Sequence, residues 1–105
     1  MKTRKVGTIT HTATGPTTID WQFNPTGHSE DCHVQVFQST GDATFSSLVY
    51  GTMESDRNAL SALTTSVVGD TLHKDVPNCP YMTLTLDTTV VATGGTSVYD
   101  IWVAE

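Results

Sequence analysis

The residues best suited to chemistry stand together in "GHSEDCH", where His28, Glu30, Asp31, Cys32 and His33 fall within six positions. Cys79 or His73 could complete four ligands for zinc, since imidazole and thiolate are its preferred donors. The spacing speaks against a shared ion. Along a strand successive side chains point to opposite faces, so Cys32 and His33 diverge, and the paired ligands at fixed spacing that mark a structural zinc site are missing. Neither a metal nor a cofactor is expected. Nucleophilic catalysis needs a Ser, Thr or Cys beside a base and an oxyanion hole, yet no G-x-S-x-G elbow occurs, nor any glycine loop built to cradle phosphate. The carboxylates are scattered, and Asp42 and Asp70 adjoin glycines, where turn geometry is their ordinary work. No catalytic residue is assigned, and the chain reads as non-enzymatic.

Aromatic rings offer a second kind of chemistry, the stacking of Trp21, Trp102 or Tyr50 on sugars. Trp21 lies in the middle of a cleanly alternating segment, which places it in a core. Trp102 is left as the candidate. Nucleic acid and anionic membranes are poor partners for a chain of net charge −6, because either polyanion is repelled by the summed field. The charge is uneven. Lys2, Arg4 and Lys5 are three of the five basic residues, so residues 6–105 carry two positive and eleven negative side chains, a net of −9. The expected organisation is a basic N-terminal arm over residues 1–5, able to dock on an acidic neighbour, ahead of one acidic domain over residues 6–105.

Something must position these residues, and 105 positions leave room for one domain with one core. Thr, Ser and Val are plentiful, the balance of a pleated, half-buried surface. Period-two alternation recurs between turn signals. In "YMTLTLDT" Met82, Leu84 and Leu86 share one face; in "TTIDWQF" Ile19, Trp21 and Phe23 do; in "DCHVQVFQ" Cys32, Val34 and Val36 do, with Phe37 read as a break. "FNPTGHSED", "STGD", "TATGP" and "VATGGT" carry the turn residues between strands. Seven or eight such strands predict an antiparallel β-sandwich of the Ig-like or jelly-roll-like kind, a small closed barrel being the alternative. Its expected centre holds Ile19, Trp21, Phe23, Val34, Val36, Met82, Leu84 and Leu86. "MESDRNALSALTT" could be a helix capped by Ser55, a short strand or a crossover.

The last segment, "SVYDIWVAE", decides where a partner would sit. One face reads Tyr99, Ile101 and Val103, the other Val98, Asp100 and Trp102. A carboxylate buried without a partner costs several kcal/mol, so the first face belongs to the core. Val98 and Trp102 then face outward, and apolar area of that kind on a monomer commonly has a use. "MKTRKVGTITHTATG" has a basic start but no apolar core of a signal peptide, and no apolar run approaches a membrane span, so synthesis in the cytoplasm and reduced thiols at Cys32 and Cys79 are expected.

The order of features resembles the small β-sandwich proteins of tailed-bacteriophage virions: capsid decoration or cement proteins and related neck and fibre modules. The stretches that carry it are "HVQVFQSTGDATFSSLVYGTMESD", "VPNCPYMTLTLD" and the final "TSVYDIWVAE", spanning roughly Val34 to Val103. The resemblance implies a structural subunit on the capsid surface, bound to the major capsid protein, often as a homo-oligomer such as a dimer or trimer, and reinforcing the shell. It transfers no residue role. The alternatives are a neck, tail or fibre module and a carbohydrate-binding sandwich.

Overall fold

A computed structural model of the chain describes residues 3–22, 31–63, 67–68, 71–77 and 79–105. The strands are β1 (Thr3–His11), β2 (Gly15–Gln22), β3 (Asp31–Thr40), β4 (Thr44–Thr52), β5 (Ser61–Ala62), β6 (Val67–Val68), β7 (Thr71–Pro77), β8 (Tyr81–Val90) and β9 (Ser97–Ala104). They form two antiparallel sheets. Sheet I has the order β1-β9-β3-β7, and sheet II the order β2-β8-β4-β5, with β6 also paired to β4. The β-sandwich expected from alternation is the fold, and β5 and β6 are two-residue additions to it.

Alternation explains the layering. Cys32, Val34 and Val36 of β3, Tyr99, Ile101 and Val103 of β9, and Ile9 of β1 turn inward from sheet I. They meet Trp21 of β2, Phe45 and Val49 of β4, and Met82, Leu84 and Leu86 of β8. Each such side chain, moved out of water, contributes about 1.5–3 kcal/mol. Ile19 is partly buried and packs on the edge of this core rather than at its centre. Phe23 lies outside the described residues. Gly7 permits the close approach of the sheets there, because a Cβ at that position would stand 2.5 Å from Ile19 Cδ1.

The far end of the sandwich is closed by polar groups with matched partners. Thr88 Oγ1 lies 3.0 Å from the Tyr99 hydroxyl and also bonds His11 Nδ1, while His11 Nε2 reaches Thr17 Oγ1 at 2.6 Å. The imidazole thereby ties β1 to both β2 and β8. In the β3–β4 connection the Gln38 side chain accepts from Ala43 N–H at 2.8 Å and donates to Ala43 C=O at 3.1 Å, satisfying a buried backbone unit where the chain crosses between sheets. Gly41 has φ 94°, and any Cβ there would meet the Thr96 carbonyl oxygen at 2.6 Å.

One expectation changes, and one open choice is settled over its described residues. From Thr3 onward the anticipated basic arm is the first part of β1, with Thr3, Arg4 and Lys5 paired to Ala104, Val103 and Trp102 of β9. The sequence signal was masked by a bulge: Val6 is an extra residue between Lys5 and Gly7, so the inward parity of Gly7 and Ile9 does not extend back through Lys5. Over 53–63 the chain makes turns and then β5, with no helix among the described residues.

Candidate docking face

The outward side of sheet I gathers most of the residues the sequence singles out. Across β1, β9 and β3, Lys5, Trp102 and Gln35 form one row and Thr8, Asp100 and Phe37 another. Trp102 is 41% exposed and Phe37 47%. They are diagonal neighbours on adjacent strands, a spacing that aromatic side chains can bridge. Beside Trp102 a shallow depression of about 250 Å³ is lined by Thr3, His33, Gln35, Val103 and Ala104. Val98 is half-buried on the same side of β9.

Lys5 and Asp100, charged residues described on this face, are paired with each other. Lys5 Nζ lies 2.8 Å from Asp100 Oδ1, and Thr8 donates its hydroxyl to the same carboxylate at 3.1 Å. The hydrogen bond from Lys5 holds the Asp100 carboxyl below its usual range, with smaller help from Thr8, the Lys5 charge and Ser39. In an acidic molecule the strip around Trp102 and Phe37 is therefore nearly neutral. A partner that covers it displaces water from rings without stranding an unpaired charge.

Arg4 does not join this face. It lies opposite Val103, on the inward side at the end of the sandwich, where it pairs with Glu105 at 2.8 Å and donates to the Gln22 carbonyl of β2. Glu105 is 2% exposed, so the pair closes the end of the core. Of the three basic residues expected to act together, Lys5 faces out, Arg4 is spent on the fold, and Lys2 lies outside the described residues.

Phe37 was misread as a break in alternation. With His33 and Gln35 it occupies the outward positions of β3, while Gln38 resumes the inward series. The parity was legible; an apolar residue on the polar side concealed it.

The "GHSEDCH" cluster separates as alternation demands. Cys32 is fully buried and His33 lies on the opposite side of the strand. His28 and Glu30 lie outside the described residues, and among the described ones no three His, Cys, Asp or Glu side chains gather as metal ligands. Burial, then the nearby Glu105 charge, pushes the Cys32 thiol up to about 12, which makes it a poor nucleophile. Both Cys32 and Cys79 are free thiols. Comparison with known protein families, curated proteins and solved structures gives no match.

Proposed function

We propose that this chain is a non-catalytic docking module of a tailed-phage virion, a decoration protein that seats the outer face of sheet I on the major capsid protein and reinforces the head. The observation that carries the docking reading is the pair of exposed aromatics, Trp102 and Phe37, held on neighbouring paired strands beside a neutralised ion pair. Rigid aromatic anchors on a regular scaffold are what protein interfaces concentrate their energy on. The choice of a capsid as partner comes from the order of strands and turns across Val34 to Val103. The test is direct: virions of the phage that encodes the chain should hold it in many copies, and heads stripped of it should regain heat resistance when it is added back. Virions that lack the chain, or heads whose heat resistance it leaves unchanged, would refute the proposal.

A second reading, a glycan-binding sandwich, has one specific observation in its favour. Trp102 borders a depression whose rim also offers Gln35 and His33, polar groups of the kind that orient a sugar beside a ring. A shift of tryptophan fluorescence on adding glycans would support it, and unchanged emission across a glycan series would remove it.

A further inference from the structure

A sandwich leaves four sheet edges, and three of them are blunted. β1 carries a bulge at Val6 and the cations Arg4 and Lys5. β7 has Lys74 within it and ends at Pro77. The β4 flank is already occupied by β5 and β6. These are the ordinary devices that stop one sheet from pairing with another. β2 has Pro16 near its start but neither a bulge nor a lysine or arginine: its ladder with β8 runs without a register shift from Gly15–Thr88 to Gln22–Tyr81.

Pro16 sets the parity of that edge. It has no N–H, so it takes an outward place in the ladder, and Thr18, Asp20 and Gln22 share that place by alternation. The far side of β8 agrees: the Val49 carbonyl accepts from Leu63 N–H at 2.8 Å, away from β8, so Leu84 turns its bonding groups to Ile19 and the even positions of β2 face out. Toward the open side β2 thus offers the carbonyls of Pro16, Thr18 and Asp20 and the N–H groups of Thr18, Asp20 and Gln22. Among the described residues no backbone group pairs with them.

We infer that β2 is the strand by which two copies of this chain join, pairing antiparallel with β2 of a second copy about a twofold axis at Ile19. In that register Thr18 and Asp20 of one copy exchange both hydrogen bonds with Asp20 and Thr18 of the other. Gln22 N–H meets the Pro16 carbonyl, so the donor that Pro16 lacks falls opposite the acceptor that Arg4 has already satisfied. The strand is its own complement, and every outward backbone group finds a partner. Asp20 faces Thr18 rather than a second Asp20, which avoids like charges directly opposite. The Arg57 guanidinium 3.6 Å from Asp20 offsets its charge, so this strip of an acidic molecule does not repel a copy of itself. Ile19, partly buried at the rim of the core, gains cover from its twin.

This deepens the homo-oligomer expected within the virion reading, but it is tested on the isolated full chain and fails separately from it. Amide hydrogen exchange measured across a concentration series should show Thr18 and Asp20 becoming protected together with dimer formation in sedimentation. Thr18→Pro removes one outward donor without touching the bonds to β8, and should weaken association at least tenfold. Thr18→Lys, which cannot disturb folding through the backbone, should do so in the same direction, while Trp102→Ser should leave the dimer intact. A chain that stays monomeric to millimolar concentration with fast exchange at Thr18 and Asp20 overturns the inference. So does a dimer lost with Trp102→Ser and kept with Thr18→Lys.

Discussion

The two outer faces of the sandwich are built from the same alternation and end in opposite states. On sheet II the outward residues around Tyr81 and Thr83 are covered by the chain itself. The Arg57 guanidinium lies 5.4 Å from the centre of the Tyr81 ring and donates to the Trp21 carbonyl at 3.2 Å. Beneath it Thr83, 4% exposed, donates its hydroxyl to Asp20 at 2.7 Å. Arg57 holds φ at 55°, a backbone conformation unfavourable for a side chain with a Cβ, and its contacts with sheet II offset that cost. On sheet I two rings, Trp102 and Phe37, have no such cover among the described residues. Among the described residues a loop covers part of one face and none covers the other, and the bare face is the one with the anchors.

The largest expected effect comes from removing those anchors. Replacing Trp102 and Phe37 together by Ser should abolish measurable attachment, because one interface aromatic contributes on the order of 2 kcal/mol, about 30-fold in affinity. Thermal unfolding of the isolated chain should barely move, since exposed substitutions stay within about 0.5 kcal/mol. Unfolding of the double variant would show that both rings belong to the fold and would erase the contrast between faces.

Sheet II should answer in the reverse sense. Arg57→Ala removes a cation over Tyr81 and a hydrogen bond to Trp21, and should lower unfolding stability by about 1–2 kcal/mol while leaving attachment unchanged. Arg57→Gly should cost less than Arg57→Ala if the positive φ is strained, because glycine adopts it freely. Denaturant unfolding of the two variants reads the difference.

The smallest effect belongs to the ion pair. Because the folded Asp100 carboxyl titrates below its unfolded value of about 3.9, its stabilisation is present above that pH and is lost as pH falls through the folded pKa. Lys5→Ala should raise the Asp100 midpoint in an NMR titration and flatten that acid-side loss. The stability change at neutral pH should be under about 1 kcal/mol, as for exposed pairs generally.

Much of this arrangement was legible because a two-residue period maps directly onto two faces. Trp21, Val34, Val36, Met82, Leu84, Leu86 and the face of β9 all lie where the period puts them. What was illegible depends on parity being interrupted or on distant partners. The bulge at Val6 disguised β1 as a free arm, and Arg4 meets Glu105 across almost the whole length of the chain. Phe37 escaped because composition, rather than position, was allowed to decide its side. His11 carried no local signal at all, since its two hydroxyl partners come from separate strands.

Hydroxyl-radical footprinting of the free chain and of the chain on purified virions compares both faces at once. Trp102 and Phe37 should oxidise readily in the free chain and become protected on the particle, while Tyr81 should react slowly and equally in both. Trp102 and Phe37 oxidised as fast on the particle as in solution, or protection confined to the Tyr81 side, would contradict the assignment of sheet I as the docking face.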